Sequence, residues 1–379
     1  MKKVLVFYDF FKPARHAGGI VASLDNLSAL ISEKTSLYFF VSAYDLGQKE
    51  MLSGVTPDQW IEFKKNIFVF YTSTKKVFSR QVNQQIGNIE PDIIYINGLF
   101  TKFVFVPLLL VKLHFRRTRV IIAPRGMVQK GALETRSLKK KIFLFFLKHT
   151  MLPFDVTWHA TDQQEVVDIR GVFGNSAKVK LALDTPSQQL SPVKEENKKM
   201  NEVNLVYLSL ITEKKNLLFL IEVLGQTSPQ FQITLDVYGP IRDVAYWKRC
   251  ELLAEKLPAH VHFAYRGTVN PVEVFEVLSI HHFFVLPSLG ENFGHAIYES
   301  LIAGRPVIIS ENTPWQNLTA KHAGWSLPLE LASFKKHIEL AASMNESDFL
   351  MYCQGAREVA KDYISENDFL TQYENLFNG

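Results

Sequence analysis

The stretch HHFFVLPSLGENFGHAIYESLIAGRPVIIS, residues 281–310, has the pattern of a strand, a loop, a helix and a second strand. An apolar run ends at Ser288, and a loop follows that contains Gly290 and Gly294. The segment HAIYESLIA then has apolar residues at helical spacing until Gly304, and the apolar run of RPVIIS follows it. This order predicts a βαβ unit in a parallel sheet.

The same alternation of strand and helix patterns continues along the chain. One series begins with VLVFYDF at residues 4–10 and predicts further strands at 36–43, 66–72, 91–97, 119–126 and 156–162. A second series begins with VNLVYLSL at residues 203–210 and predicts further strands at 232–239, 260–267, 281–288 and 305–310. The segment between them is rich in proline, serine, glutamine and charge and has no hydrophobic period, which is typical of a linker. We therefore expect two Rossmann-like domains of α/β class. Their predicted bounds are 1–185 and 202–360, with a linker at 186–201 and a terminal helix at 361–379.

The length of the chain and its cysteine content limit the possible folds and functions. A chain of 379 residues exceeds what one core usually organises, which agrees with two domains. Cys250 and Cys353 are too few and too isolated for a disulfide framework or a zinc site, so we expect a reducing cytoplasmic environment. Asp9 interrupts the apolar start, which argues against a signal peptide, and the longest apolar segment is too short to span a bilayer.

Positive charge is concentrated in the first half of the chain. The net charge is +4, but residues 112–148 contain a dense basic cluster in which Glu134 is the only acidic residue. Its members are Lys112, Arg116, Arg117, Arg119, Arg125, Lys130, Arg136, Lys139, Lys140, Lys141 and Lys148. Beside the apolar segment IFLFFL, this cluster could contact an anionic membrane or an acidic substrate. The alternative is a solvated helix face that covers a buried one.

We expect a ligand to bind at the carboxyl ends of the strands, because open α/β sheets bind ligands there. A helix that begins near Gly294 would direct free backbone N–H groups at a phosphate. Glu291 precedes that helix and Glu299 lies inside it, so two carboxylates could hold hydroxyl groups on different parts of an elongated ligand. By spacing alone, a turn residue and a solvated helix residue explain the pair better than a ligand site does.

The ordered set of motifs resembles glycosyltransferase family 4, the retaining enzymes of GT-B fold. Glu291 and Glu299 match the family's Glu-x7-Glu motif. The companion motifs are Gly18-Gly19, PDIIYING at 91–98, APRGMVQKGAL at 123–133, WHATDQQE at 158–165, YLSLITEKKNL at 207–217, YGPI at 238–241 and YRGTV at 265–269. The resemblance implies a GT-B fold, with two Rossmann-like domains whose parallel sheets face a cleft. It also implies that the terminal helix at 361–379 crosses back to the first domain, and an ordinary amphipathic end helix of the second domain is the alternative.

Donor-binding roles follow from the resemblance, by matched position. Glu299 corresponds to the residue that binds the ribose hydroxyls, and Glu291 to the one that faces the donor sugar. Lys215 corresponds to the lysine that neutralises the diphosphate. The remaining donor contacts are assigned to the glycine pair of the first domain, to the loop before the helix and to the base pocket: Gly18, Gly19, Asn292, Phe293, Gly294 and Val269.

Two further residues are candidates for contact with the sugar or acceptor. Arg125 stands where many relatives have a histidine, and His159 ends the next strand. The alternatives are structural roles without ligand contact. Arg125 would then be a surface charge, and His159 a core histidine that is bonded to a backbone carbonyl.

The sequence departs from the family pattern at Leu210, where relatives usually have an arginine that binds phosphate. Loss of one charge-assisted hydrogen bond would remove about 1.5–3 kcal/mol of phosphate stabilisation. Lys214, Arg242 and Arg266 are candidates to replace it.

The resemblance implies transfer of a sugar from a UDP- or GDP-linked donor to an acceptor hydroxyl with retention, without a cofactor and without a metal. We expect a glycan or a lipid-linked glycan as acceptor, a role in surface polysaccharide assembly, a peripheral contact with the inner membrane face, and no nucleic acid. A binding protein without turnover is the alternative that Leu210 suggests. A nicotinamide-dependent oxidoreductase is less well supported, because no Gly-x-Gly-x-x-Gly follows the first strand.

Overall fold

The structure is a computed structural model that describes residues 1–14, 18–74, 79–101, 103–129, 133, 137–151, 155–187 and 197–378. The chain divides into two compact units. Unit 1 comprises Met1–Thr185 and Asp368–Gly379, and unit 2 comprises Pro186–Asn367. Most of the predicted linker, residues 188–196, lies outside the described residues.

Unit 1 is an α/β unit on one eight-stranded sheet of order β3-β4-β2-β1-β5-β6-β7-β8. Its strands are β1 (Lys2–Phe7), β2 (Thr35–Ser42), β3 (Trp60–Lys64), β4 (Ile67–Thr72), β5 (Ile93–Asn97), β6 (Arg119–Ala123), β7 (Val156–Ala160) and β8 (Lys178–Leu181). Among these described strands, the β3–β4 pair alone is antiparallel. The helices in the first part of the chain are α1 (Gly19–Ile31), α2 (Ser79–Ile89), α3 (Phe105–Leu113), α4 (Ser137–Phe146) and α5 (Gln163–Phe173), and a π-helical turn spans Leu147–Met151.

The sheet of unit 1 is buried on both faces. Alternation along β1 places Leu5 and Phe7 in one core layer and Val4 and Val6 in the other. This explains the continuous apolar run of the first strand, because a parallel strand between two helix layers has no solvated face.

Unit 2 has a six-stranded parallel sheet of order β11-β10-β9-β12-β13-β14. Its strands are β9 (Glu202–Leu208), β10 (Gln232–Tyr238), β11 (Val261–Gly267), β12 (Phe283–Leu286), β13 (Val307–Ser310) and β14 (Gly324–Leu327). Its helices are α6 (Leu217–Leu224), α7 (Val244–Ala254), α8 (Val274–Ser279), α9 (His295–Ile302), α10 (Leu331–Ser343) and α11 (Glu346–Ser365). The central neighbours β9 and β12 end beside each other and supply the loops of the candidate site.

The predicted terminal helix is interrupted. Helix α11 ends in unit 2, and a separate helix α12 (Phe369–Asn378) packs in unit 1. The side chain of Asn367 donates to the carbonyl of Tyr363 at 2.8 Å, and Asp368 accepts from the amide of Thr371 at 3.0 Å. These polar side chains satisfy the ends of two helices, which is why the apolar pattern does not run through as one.

Helix α12 contributes to the core of unit 1, where Tyr373, Leu376 and Phe377 are buried. Among the helices of the described ranges, none combines the length and the hydropathy that crossing a bilayer requires.

Candidate active site

The loop between β12 and α9 in unit 2 is anchored by backbone contacts. The amide of Leu289 donates to the carbonyl of Lys214 at 2.8 Å, and the Ser288 hydroxyl donates to the same carbonyl at 3.3 Å. The amide of Glu291 donates to the carbonyl of Asn312 at 3.0 Å. The loop is thus tied on one side to the segment after β9 and on the other to the segment after β13.

Gly294 starts helix α9 in a left-handed conformation, with φ of 79°. A Cβ atom at this position would lie 2.8 Å from Cδ1 of Ile297. The carbonyl of Gly294 accepts from the amides of Ile297 and Tyr298, while the N–H groups of Phe293 and Gly294 have no acceptor in the described part of the chain. A glycine is therefore favoured here, and the turn leaves amides available to an anion at the helix start.

Phe293 is itself part of the core of unit 2. Its ring is buried beside Tyr298, Trp315 and Tyr363, and its carbonyl accepts from Nε1 of Trp315 at 2.6 Å. Only the amide of Phe293 can therefore serve a ligand, which narrows the predicted backbone role of this residue.

Lys215 and Glu291 form an ion pair at the carboxyl end of the sheet. The distance from Nζ of Lys215 to Oε1 of Glu291 is 2.5 Å, and their side chains are 19% and 9% exposed. Lys215 ends a short 3-10 turn, Glu213–Lys215, which follows β9. The structure thus brings together two predicted donor contacts that are 76 positions apart in sequence.

Glu299 lies inside α9 with a partly buried side chain. Its carboxylate forms no hydrogen bond or ion pair with another described residue, and burial raises its pKa to about 7. A half-buried carboxylate without a partner is costly unless a ligand supplies donors. Two hydroxyl groups on neighbouring carbons would satisfy it.

The segment with Leu210 lacks the arginine of the family pattern, and Leu210 is half-buried. Among the predicted substitutes, Arg266 donates from Nε to Asp236 at 2.9 Å. The amide of Arg242 donates to the carbonyl of Ile211 at 3.2 Å, so its backbone lies beside the same segment. Lys214 keeps much of its surface exposed, and its ammonium is close enough to Glu291 and Lys215 for both charges to act on it.

Desolvation lowers the pKa of Lys214, the Glu291 carboxylate opposes this effect and the Lys215 ammonium adds to it. Lys214 is therefore the candidate that shares the electrostatic environment of the Lys215–Glu291 pair, whereas Arg266 is bound to Asp236.

The predicted base-binding residue Val269 is partly buried against the core of unit 2, just after β11. Gly239 follows the neighbouring β10, and a Cβ atom there would clash with the carbonyl oxygen of Ser209. The absence of a side chain at Gly239 allows the segments after β9 and β10 to approach closely.

In unit 1, Arg125 lies in the interior with its side chain 2% exposed. Nε and Nη2 donate to Oδ1 of Asn97 at 2.9 and 2.8 Å, and Nη2 also donates to the hydroxyl of Tyr95 at 3.0 Å. Nη1 donates to Asp184 and, at 3.3 Å, to the Ser23 hydroxyl. Every guanidinium nitrogen is engaged within unit 1, and the predicted contact of Arg125 with the sugar or acceptor stays a prediction.

His159 belongs to the same interior network and is fully buried. Its Nδ1 is 2.7 Å from the hydroxyl of Tyr95, and its Nε2 is 2.7 Å from the carbonyl of Ala182. Burial, together with the Arg125 charge, lowers its pKa to about 3, so the ring is neutral at ordinary pH. These contacts are those of a core histidine bonded to a carbonyl, and the predicted contact of His159 with the sugar or acceptor stays a prediction.

The acidic partners of this network were not among the residues predicted from the sequence. Asp184 pairs with Arg125, and buried Glu165 accepts from the amides of Gly126 and Thr161 at 2.6 and 2.8 Å. A signal for Glu165 was present: Asp162 and Glu165 have the spacing of a capping box, and Asp162 accepts from the Glu165 amide at 2.7 Å. No comparable local pattern precedes Asp184.

Gly18 adopts a positive φ of 78° directly before α1, and Gly19 is the first residue of that helix. This geometry uses the conformational freedom of Gly18. The predicted approach of either glycine to a phosphate stays a prediction. In the described part of the chain, no group of three or more His, Cys, Asp or Glu residues is placed to hold a metal ion.

Comparison with known families and structures agrees with this geometry. Residues 191–347 match the family described as "Glycosyl transferases group 1". A search of curated protein sequences finds no match to the chain.

Solved structures are similar over the whole chain. Sucrose-phosphate synthase from Thermosynechococcus elongatus has a TM-score of 0.77 at 16% identity, covering 100% of this chain and 98% of that one. HepE from Anabaena, in complex with UDP and glucose, has a TM-score of 0.71 at 15% identity, covering 99% and 98%. A TarM variant from S. aureus, in complex with fondaparinux, alpha-GlcNAc-glycerol and UDP, has a TM-score of 0.71 at 13% identity, covering 100% of both chains. These likenesses confirm the predicted GT-B fold.

Proposed function

We propose that this protein is a retaining glycosyltransferase of family 4 type, which transfers a sugar from a nucleotide diphosphate donor to an acceptor hydroxyl. The observation that carries the proposal is Glu299, a partly buried carboxylate with no partner in the described structure, five positions after a helix start with free amides. A nucleotide sugar supplies the complementary groups, namely ribose hydroxyls for a carboxylate and a diphosphate for the amides.

The donor site we propose is built on unit 2. Glu299 accepts hydrogen bonds from the ribose, the amides of Phe293 and Gly294 bind the diphosphate, and Lys215 neutralises it. Glu291 then orients Lys215 and faces the sugar. The 2.5 Å ion pair supports this assignment, because it holds the lysine at the carboxyl end of the sheet before a donor arrives. HepE and the TarM variant were both solved with UDP, which makes UDP sugars the first donors to test.

The residues support a mechanism without a protein nucleophile. In this account the leaving diphosphate takes the acceptor proton, while Lys215, the helix start and the loop amides stabilise its charge. Lys214 is the cation we assign to the role that an arginine has at the position of Leu210. Metal independence remains part of the proposal.

For the acceptor, we propose a lipid-linked glycan in surface polysaccharide assembly, with unit 1 in peripheral contact with an anionic membrane at its cytoplasmic face. The basic cluster between residues 112 and 148 supports this part of the proposal.

A thermal-shift panel of UDP and GDP sugars tests the donor assignment. Because a ligand that binds only the folded state raises its apparent stability, we expect at least one donor to raise the melting temperature of the wild type. The same donor should shift Glu299→Gln much less. Failure of every nucleotide sugar to shift the wild type would contradict the proposal.

A second candidate is a nucleotide-sugar-binding protein without turnover. Leu210 favours it, since a half-buried apolar side chain stands where a phosphate-binding cation is expected. Incubation of radiolabelled donor with a broad set of lipid-linked acceptors separates the two functions. Product formation that Lys214→Ala reduces supports the transferase, and donor binding without product supports the second candidate.

A further inference from the structure

Helix α4 in unit 1 packs into the core through one face only. The ring of Phe143 lies 5.1 Å from that of Phe100 and 4.8 Å from that of Phe105, measured between ring centroids. Leu144 is buried in the same core layer, as is Leu147 in the following π-helical turn. This packing explains why Phe143, Leu144 and Leu147 of the segment IFLFFL are apolar. It does not explain the other three apolar residues of the segment.

The opposite face of α4 is also apolar, and it is exposed. Leu138, Ile142, Phe145 and Phe146 are 70%, 49%, 60% and 52% exposed. At about 100° per residue, these four side chains fall within a sector of about 100° on the side away from Phe143 and Leu144. We call them the apolar ridge. A surface helix of a globular domain normally presents polar residues on this side.

Lysines border the apolar ridge on both sides. Lys139 and Lys141 are exposed, and their helical positions flank the ridge to the left and to the right. Lys148, in the π-helical turn, is exposed as well. The sequence from 137 to 151 contains no Asp or Glu. The surface is therefore apolar at its centre and positive at its borders.

We propose that the apolar ridge and its flanking lysines dock unit 1 on an anionic phospholipid bilayer, with α4 lying in the plane of the interface. A bilayer surface offers both complements at once: phosphate headgroups for the lysines and an acyl boundary for the phenylalanine and aliphatic side chains. A second copy of the same face would bring lysine against lysine, so charge complementarity favours the membrane over self-association.

This inference deepens the membrane contact in the proposed function and identifies the element that makes it. It is separable from the donor assignment, because vesicle binding is measured without donor or acceptor. If the protein does not bind vesicles but nucleotide sugars raise its melting temperature, the ridge proposal fails and the donor assignment stands. If the protein binds vesicles but no nucleotide sugar raises its melting temperature, the donor assignment fails and the ridge proposal stands.

Co-sedimentation of the full chain with vesicles tests the proposal. One set of vesicles contains equal parts of phosphatidylcholine and phosphatidylglycerol, and the other contains phosphatidylcholine only. We expect binding to the anionic set that falls at least tenfold in Ile142→Gln/Phe145→Gln, which removes apolar contact. We expect a fall of about 20-fold in Lys139→Gln/Lys141→Gln, which removes charge.

Matched controls are available in the same unit. Val167→Gln changes a 62% exposed apolar residue of α5, and Lys49→Gln/Lys65→Gln removes two exposed lysines elsewhere. Both controls should bind vesicles like the wild type, and circular dichroism should show that all variants are folded.

The proposal is overturned if the wild type does not bind anionic vesicles, binds both sets equally, or loses binding as much in the controls as in the ridge variants. It is also overturned if light scattering shows a dimer that Ile142→Gln/Phe145→Gln converts to monomer, since the ridge would then be covered by a second copy.

Discussion

The ammonium of Lys215 and the carboxylate of Glu291 are paired at 2.5 Å, although the sequence pattern assigns them to different parts of one ligand. Each side chain is mostly buried, so each depends on the other for charge compensation before a donor binds. In the proposed function, a diphosphate that binds Lys215 would enter an existing ion pair, and Glu291 would then be available to accept from sugar hydroxyls. Removing either partner therefore changes more than one contact.

The first prediction concerns this pair. Lys215→Ala should weaken binding of a nucleoside diphosphate about 10- to 100-fold, because it removes a charge-assisted hydrogen bond and leaves Glu291 to repel the phosphates. Isothermal titration calorimetry with UDP and GDP measures the effect. Lys248→Ala, which removes an exposed lysine of α7, is the control and should bind like the wild type. Equal affinity of Lys215→Ala and the control would show that Lys215 does not meet the diphosphate.

The second prediction concerns the pH dependence of donor binding. Burial raises the pKa of Glu299 to about 7, so the unliganded carboxyl takes up a proton as pH falls through 7. Only the ionised form accepts hydrogen bonds from both ribose hydroxyls. Donor affinity should thus fall as pH drops below 7, by up to about tenfold per pH unit.

The same linkage means that binding near pH 6 releases a proton. Calorimetry in buffers of different ionisation enthalpy detects this release. The side chain introduced in Glu299→Gln cannot titrate. The donor affinity of this variant should therefore be weaker than that of the wild type and constant between pH 5.5 and 8. A wild-type affinity that does not change across this range would contradict the assignment of Glu299 to the ribose. The stability of the unliganded protein depends on pH in the opposite direction. Because folding raises the pKa of Glu299, this group stabilises the folded state below about pH 4.5, the ordinary pKa of a glutamate. That stabilisation is lost as the pH rises through 7.

The third prediction compares two glycines with nearly the same φ angle. Gly294 has a φ of 79° and a Cβ clash with Ile297, whereas Gly267 has a φ of 80° and no atom within 4 Å of the place that an added methyl group would occupy. Gly267→Ala should lower the melting temperature by about 2–4 °C, the effect of about 1 kcal/mol of left-handed strain. Gly294→Ala should lower it by roughly twice as much, because the clash adds to the strain. Equal shifts in differential scanning calorimetry would show that the helix start adjusts to the methyl group.

The fourth prediction concerns the interior network of unit 1. Arg125→Met should destabilise unit 1 by about 3–5 kcal/mol, because it removes the guanidinium that compensates the buried charge of the Asp184 carboxylate. Denaturant unfolding measures the loss, and Arg170→Met, at an exposed position of α5, is the control.

Asp184→Asn in the Arg125→Met background completes a double-mutant cycle. We expect the double variant to recover part of the lost stability, since it no longer buries an unpaired charge. Full additivity of the two substitutions would mean that Arg125 and Asp184 are not coupled.

Much of the architecture was predictable from the sequence. The strands predicted for the middle of each sheet are present, because strands buried on both faces carry continuous apolar runs. The strands that the sequence analysis did not identify are β3, β8 and β14, and all of them lie at sheet edges. Edge strands need less apolar surface: β3 and β8 have no fully buried residue, and β14 begins with Gly324.

The candidate site was predictable in part. The spacing of Glu291, Gly294 and Glu299 around a helix start is a local property, and local spacing determines which groups a turn and a helix present. The burial of Arg125 and His159 has a tertiary cause. Arg125 follows β6 and His159 lies near the end of β7, where ligands often bind, but Asp184, Asn97 and Tyr95 fill the space around them.

What the sequence determined by itself is therefore the α/β order of the chain, the central strands and the glycine-started helix with its carboxylates, because periodicity and backbone conformation are local. Only the tertiary structure decided that Lys215 pairs with Glu291, that Arg125 and His159 are buried, and that α4 exposes a second apolar face. Those outcomes depend on which distant segments pack against each other. An apolar residue in a helix looks the same in sequence whether its face meets the core or the solvent, and only packing distinguishes the two.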